Sequence, residues 1–397
     1  MERIGIYGGT FNPPHIGHIS AALQAMEALR LDRLLLIPDR IAPHKQLPEG
    51  SASAEQRLQM VQIAAKPHPQ LEVSDMELIR EGTSYSYLTI LELRQKHPDA
   101  QLVLLMGTDM FLSFDKWKNP DIILQNASLG VLYRGDKGEQ TAISAKKQEM
   151  EAKGACIELV ANDVVQISST DLRRMLVFRC ADDFLPEGVN AFIQRNNLYN
   201  TGKNYRYLFM DRLEQTVISL LKPNRVAHVL GCRDTAVALA RHWGANEEDA
   251  ARAGLLHDVT KALDGPLQLT LCREYGIMLG AFSKQNPKTL HALTGSLVAQ
   301  RIFGENEAVV NAVRHHTTGK ADMSLLEKII YVADYMEPNR DFPGVEKLRE
   351  LAFSDIDGAL QLGLEMTITM LKEQGREISR ESQEALMWLN RKEQTIC

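Results

Sequence analysis

The apolar residues change their period midway along the chain, and this limits the possible folds more than any other feature. From Arg3 to about Tyr199 short apolar runs alternate with helical spacing; after Tyr207 only the helical spacing remains. Arg3–Tyr7, Arg33–Ile37, Gln101–Met106, Ser128–Tyr133 and Cys156–Val160 read as buried strands, being short, nearly continuous and bounded by polar residues. Between them, Gly17–Leu29, Ala54–Ala65 and Ser86–Lys96 carry helical spacing. Ser53 followed by Gln56 forms a capping box, and Pro98 stops the third of these helices. Strands that alternate with helices predict an α/β domain, a mainly parallel Rossmann-like sheet with helices on both faces. Such sheets bind ligands at the carboxyl ends of their strands, where the strand order switches.

The second half predicts an all-α bundle: Met210–Leu221, Arg225–His242, Glu247–Thr260, Lys288–Phe303, Glu307–His315, Ser324–Met336, Val345–Ala352, Asp355–Gln374 and Ser382–Arg391. The polar stretch Asn196–Arg206 is the expected linker, and no internal repeat relates the halves. At about 150 residues per domain, 397 residues suit two or three domains. The expected division is an α/β domain over 1–200 and a helical one over 208–390.

Charge narrows the partners. A net charge of −6 offers no global basic field, so no nucleic-acid partner is expected and any phosphate must be met locally. The first strand begins at Arg3, leaving no room for a signal peptide, and no apolar run approaches the ~18 residues that span a membrane. Cys156, Cys180, Cys232, Cys272 and Cys397 are scattered and lack CxxC spacing, which suggests neither a disulfide framework nor a thiolate zinc site. A reducing, cytoplasmic compartment is the expectation; the sequence leaves the oligomeric state open.

Two clusters carry chemistry. Directly after the first strand, Gly8-Gly9-Thr10-Phe11-Asn12-Pro13-Pro14-His15-Ile16-Gly17-His18 opens a helix. The glycines remove side chains where a phosphate would approach the backbone, and the helix start supplies unpaired N–H groups. His15 and His18, three apart, can project to one side and donate to a phosphate whose charge grows in the transition state. The spacing is not that of a Walker loop, and GxGxxG is absent. Ile167-Ser168-Ser169-Thr170-Asp171-Leu172-Arg173 offers hydroxyls and amides at a second helix start, with Arg173 one turn inside. Alone this is as readily a capped structural helix; with the first motif it forms the other jaw of a triphosphate clamp.

GGTFNPPHIGH together with ISSTDLR resembles the HxGH nucleotidyltransferases. Pro43-His44-Lys45, Glu81-Gly82-Thr83-Ser84-Tyr85 running into Thr89, Gly107-Thr108-Asp109, Trp117 and Arg134 are similar to the bacterial nicotinate-nucleotide adenylyltransferases. The resemblance implies that nicotinate mononucleotide attacks the α-phosphate of ATP with Mg²⁺, giving deamido-NAD and pyrophosphate. It implies that Gly8, Gly9, Thr10 and Phe11 cradle the nucleotide while His15 and His18 contact the reacting phosphates. Lys45 and the turn Ile167, Ser168, Ser169, Thr170 and Arg173 would hold the triphosphate. Thr83, Tyr85, Asp109 and Trp117 would line the nicotinate side, and Gly107, Thr108 and Arg134 would also bind substrate. Read without it, Trp117 is a packing residue, and Lys45 and Arg134 are surface charges. Within the superfamily, pantetheine-phosphate adenylyltransferase is the nearest rival, and no single residue separates the acid from the amide mononucleotide.

The helical half holds six of the eleven histidines. His242 reads as a surface residue; the other five, with two aspartates, follow the order His228, His257-Asp258, His291, His315-His316, Asp334. Asp334 lies inside the apolar pattern Glu327–Asp334, and a carboxylate there needs compensation because an unpaired buried charge is strongly unfavourable. A metal supplies it; imidazoles with carboxylates suit Fe, Mn, Co or Zn.

The spacing resembles the HD-domain phosphohydrolases. Arg225-Val226-Ala227-His228, Leu255-Leu256-His257-Asp258-Val259-Thr260-Lys261, His291-Ala292-Leu293-Thr294-Gly295, His315-His316-Thr317-Thr318-Gly319 and Asp334-Tyr335-Met336-Glu337-Pro338-Asn339-Arg340 are similar to the YqeK-type family. This implies symmetrical cleavage of diadenosine tetraphosphate into two ADP with iron or a similar divalent transition metal. By the same resemblance His228, His257, Asp258 and Asp334 form the metal shell. Asp258 and Lys261 would serve catalysis, and Arg225, Lys261, His291, His315, His316 and Arg340 would meet the polyphosphate. An alternative gives His291, His315 and His316 to a second metal. Two further readings stay open: another nucleotide as substrate, or a sensor that binds without turnover and regulates the first domain.

Overall fold

The computed structural model describes residues 1–42, 46–133, 137–163, 165 and 167–396. They fall into two compact units, Met1–Lys203 and Asn204–Cys397.

The first unit is built on a parallel sheet of β1 (Arg3–Gly9), β2 (Arg33–Pro38), β3 (Leu71–Val73), β4 (Gln101–Gly107), β5 (Ser128–Tyr133) and β6 (Ile157–Ala161). Their order is β3-β2-β1-β4-β5-β6. The chain leaves β1 toward β2 and returns to pair β4 on its other side, so the switch lies between β1 and β4. The central strands are apolar along their length because helices cover both faces; Ile4, Leu34, Leu36, Val103 and Leu129 are sealed from solvent.

The five strands read from the sequence are present, and β3 is an addition whose three residues are too short to show a period. A further helix, Lys137–Glu151, was not foreseen; Ile143 and Met150 are its buried anchors in an otherwise polar run. Ser53 caps the Ala54–Ala65 helix as expected, accepting from the Gln56 N–H at 3.2 Å while the Gln56 carboxamide accepts from the Ser53 N–H at 2.9 Å. The stretch expected to be a linker is not free along its length. Tyr199 is buried and its N–H donates to Gly50 O at 2.9 Å, which ties this part of the chain to the first unit.

The second unit is helical. Val226–Trp243 packs on Glu247–Leu256 and on Leu325–Met336, whose residues Ile329 to Ala333 are all buried. Three expected helices change bounds by several residues, the last running Arg380–Ile396 rather than Ser382–Arg391. The helix expected to reach Thr260 ends at Leu256, and the chain continues in tight turns in which Val259 N–H donates to Leu256 O and Lys261 N–H to Asp258 O. The helix expected over Lys288–Phe303 runs as Leu290–Val298 and passes into a widened π turn at Ala299–Phe303. Gly265–Glu274 is an extra helix capped by Asp264. Among the described residues no helix is long and apolar enough to cross a membrane.

Candidate active sites

The first site lies at the carboxyl end of β1, where Gly8 and Gly9 close the strand beside the switch point. A Cβ on Gly8 would meet nothing within 4 Å, so the backbone there faces open space. The following loop is held from below. Thr10 Oγ1 donates to Asp39 Oδ2 at 2.7 Å, and Arg57 Nη1 donates to Thr10 O at 2.6 Å and to Asp39 Oδ1 at 2.9 Å. Arg57 is 1% exposed. Sequence reasoning missed this buried ion pair, since neither partner stands in a motif.

His15 caps the Ile16–Ala28 helix, and His18 lies in its first turn. The two rings face each other with centroids 3.6 Å apart, on one side of the helix start as the spacing required. The backbone N–H of His15 donates to His18 Nδ1 at 3.1 Å. With Nδ1 accepting, a neutral His18 carries its proton on Nε2. Burial pushes the His15 imidazole down to about 4, so it is neutral at pH 7.

The second jaw closes on this loop. Ser168 caps the Ser169–Val177 helix, its Oγ accepting from the Asp171 N–H at 3.0 Å. Ser169 Oγ donates to Pro13 O at 3.1 Å, and Arg173 Nη1 donates to Asn12 O at 2.7 Å. Arg173 Nη2 donates to Thr170 Oγ1 at 3.0 Å. Two segments more than 150 residues apart are thereby stitched together beside the histidine pair.

The other residues expected to bind the substrates stand on several elements. Tyr85 caps the Ser86–Lys96 helix, with Thr83 just before it. Gly107 ends β4, the neighbour of β1; Thr108 is buried with its hydroxyl on Leu132 O, and Asp109 is exposed one residue on. Trp117 is half-buried against the core with its ring 5.3 Å from Phe114, which gives the packing role direct support. Lys45 and Arg134 lie outside the described residues.

The second site gathers side chains from several helices and turns. His228 Nε2 lies 3.2 Å from His257 Nε2 and 3.1 Å from Asp334 Oδ1, while Asp258 Oδ2 lies 3.6 Å from His257 Nε2. Asp258 turns its other oxygen, Oδ1, to His291 Nε2 at 3.3 Å and His316 Nε2 at 3.8 Å. Cations frame the carboxylates: Arg225 Nε donates to Asp258 Oδ2 at 2.6 Å, and Arg340 Nη2 to Asp334 Oδ1 at 2.5 Å. Lys261 Nζ sits 2.9 Å from His291 Nε2 and 3.8 Å from Asp258 Oδ1.

His315 belongs to neither group. Its Nδ1 faces Glu327 Oε1 at 2.7 Å, so the second trio is Asp258, His291 and His316 rather than one that includes His315. His242 is exposed, as expected.

Electrostatics put the groups in the ligand state. Burial lowers His257 to about 4 and His291 to about 3, with Lys261 adding to the second shift. Burial pushes the Asp258 carboxyl up, but His257, the contact from His316 and the Lys261 charge outweigh it and hold it well below the usual range. Neutral imidazoles with ionised carboxylates are what a divalent transition metal binds. The fit has a direct sign: Asp258 Oδ1 is a buried carboxylate oxygen with no hydrogen-bond partner among the described residues. The Nε2 atoms of His228 and His257 also converge at 3.2 Å, an arrangement of facing lone pairs that a cation resolves.

Comparison with known proteins follows the same division. The Cytidylyltransferase-like family model matches residues 6–175, and the HD domain model matches residues 225–339. A probable nicotinate-nucleotide adenylyltransferase of Lachnoclostridium phytofermentans is 34% identical over 200 residues, 50% of this chain and 100% of that protein. A symmetrical bis(5'-nucleosyl)-tetraphosphatase of Halalkalibacterium halodurans is 41% identical over 171 residues, 41% of this chain and 88% of that protein. A solved structure from Clostridium acetobutylicum, described as a "predicted HD superfamily hydrolase involved in NAD metabolism", is 38% identical and covers 47% of this chain and 98% of its own, with a TM-score of 0.46.

Proposed function

The chain belongs to two families at once, the nicotinate-nucleotide adenylyltransferases in its first half and the HD-domain symmetrical bis(5'-nucleosyl)-tetraphosphatases in its second. On that footing we propose a bifunctional enzyme. The first half transfers the adenylyl group of ATP to nicotinate mononucleotide, giving deamido-NAD and pyrophosphate. The second hydrolyses diadenosine tetraphosphate, with one water, to two ADP.

In the first reaction a phosphate oxygen of the mononucleotide attacks the α-phosphorus of ATP and pyrophosphate leaves. The substrate supplies the nucleophile, so the protein needs no activated Ser or Cys and acts by positioning and charge stabilisation. The Gly8–Gly9 backbone admits the phosphates, and His18 Nε2–H donates to the charge that builds during transfer. Neutral His15 holds the facing ring in place. The Ser168–Arg173 helix start receives the triphosphate together with its Mg²⁺. The juxtaposition of Arg173 with the Asn12 carbonyl carries this reading, because it makes one cradle of two distant motifs.

In the second half, His228, His257, Asp258 and Asp334 would hold the metal, iron or another divalent transition ion. Once bound, the metal acidifies a water and offsets phosphate charge. Arg225 and Arg340 hold the two carboxylates by direct hydrogen bonds, and the Arg340 charge also helps keep Asp334 ionised. The Lys261 ammonium, set between His291 and Asp258, occupies the second trio, which favours one metal with a lysine beside it over two metals. Lys261, His291 and His316 then face the polyphosphate.

A crossed pair of variants tests both halves. His18→Ala should lower adenylyl transfer by roughly 10²-fold or more while leaving ADP release from diadenosine tetraphosphate unchanged. Asp258→Ala should do the reverse. Near-normal transfer in the first variant, or undiminished ADP release in the second, would contradict the assignment of that half.

A further inference from the structure

Each imidazole of the second site must present Nε2 inward, and what fixes it is the partner of its other nitrogen. His257 Nδ1 meets Gly254 O at 2.7 Å, His316 Nδ1 meets Val313 O at 2.7 Å, and His291 Nδ1 meets Lys288 O at 2.8 Å. In all three the acceptor is the backbone carbonyl three residues earlier, so each ring is oriented by its own turn. His228 departs from the pattern. Its Nδ1 lies 3.0 Å from Glu337 Oε1, a side chain 109 residues away.

We propose that Glu337 is a positioning residue for metal binding: it fixes the Nδ1–H tautomer of His228, aims Nε2 at the metal and makes the imidazole a stronger donor. The proposal rests on the metal reading given above. The surroundings are arranged for that carboxylate. Glu337 is fully buried, and its Oε2 accepts from the Asn339 N–H and from Asn339 Nδ2, both at 2.8 Å. Asn339 Nδ2 also reaches Ala227 O at 3.1 Å, tying the Glu337 segment to the helix that carries His228. On that helix, one turn past His228, a Cβ at Gly231 would stand 2.4 Å from Glu337 Oε2. Only a residue without a side chain leaves the carboxylate room. Arg349 anchors the segment from outside, donating to Met336 O at 3.0 Å, Glu337 O at 3.1 Å and Arg340 O at 2.9 Å. A buried carboxylate placed, braced and given space in this way serves the one imidazole that cannot orient itself.

The test is Co²⁺ titration of the metal-free full chain, read by the visible absorption of the bound ion. Glu337→Gln keeps the shape but removes the charge; it should weaken Co²⁺ binding by about 10- to 100-fold and change the absorption envelope. Unchanged affinity and spectrum in Glu337→Gln, with the parent chain binding tightly, would overturn the proposal alone. Failure of the parent chain to bind, or an Asp258→Ala chain that binds like the parent, would instead overturn the metal reading. Should Glu337→Gln not fold, Asn339→Ala, which frees the carboxylate without removing it, is read the same way. A smaller loss of affinity supports the role and equal affinity refutes it.

Discussion

At the residue scale, opposite demands are met by different means. The second site needs imidazoles that are neutral though surrounded by carboxylates, and burial supplies that, lowering His257 and His291. His15, buried beside His18, is lowered to about 4 for the same reason and has a consequence for stability. Between pH 6.5 and 4 the unfolded chain binds a proton on His15 that the folded chain does not. Stability contributed at this position is therefore complete above pH 6.5 and falls as the pH drops toward 4, by about 3 kcal/mol at pH 4. Denaturant unfolding of the 1–203 fragment, followed by Trp117 fluorescence, checks it. The free-energy difference between parent and His15→Asn should be flat above pH 6.5 and shift in favour of the variant below. A difference independent of pH would refute the burial argument. The ligand-type residues were legible as single positions because their chemistry is unusual in helical patterns. Glu337 and the Arg57–Asp39 pair were not, since a buried charge shows its purpose only when its partner is known.

At the element scale, helix starts were easier to read than helix ends. Ser53, Ser168 and Ser324 each accept a backbone N–H three residues on, a signal written within four consecutive residues. The helix Gly265–Glu274 had such a signal in Asp264 with Pro266 at its first turn, yet Leu267, Leu269 and Leu271 alternate with the period of a strand and mask it; Leu269 is indeed exposed. Closeness of helices is another matter that spacing does not reveal. A Cβ on Gly254 would stand 2.7 Å from the Cα of Arg233, so the Glu247–Leu256 and Val226–Trp243 helices touch backbone to backbone there. The same residue supplies the carbonyl that orients His257. Gly254→Ala should therefore destabilise the second unit by roughly 1–3 kcal/mol and weaken Co²⁺ binding, measured by thermal unfolding and titration. A variant that matches the parent in both would show that the two helices can separate without cost.

At the scale of the whole molecule, one chain carries two enzymes in two compact units. The buried apolar cluster around the sheet is drawn entirely from the first unit, and the relatives that match each half are themselves covered almost end to end. Residues 1–203 and 204–397, produced separately, should each fold and retain their own reaction within about twofold of the full chain's kcat. Loss of either activity on separation would show that one unit depends on the other. If adenylyl transfer generates dinucleoside polyphosphates as by-products, an adjoining hydrolase would clear them, and comparing their steady-state levels for the fused and separated proteins tests this. Identical levels would defeat the clearance idea.

The sequence by itself determined the class of each half, the starts of most helices and which side chains could carry chemistry, because those properties are set within a turn or two of chain. Only the tertiary structure decided that His316 rather than His315 faces Asp258, that Arg173 closes onto Asn12 and that His228 is oriented by Glu337. These pairings join residues on different elements, and packing, not local spacing, determines which of several chemically equivalent side chains meet.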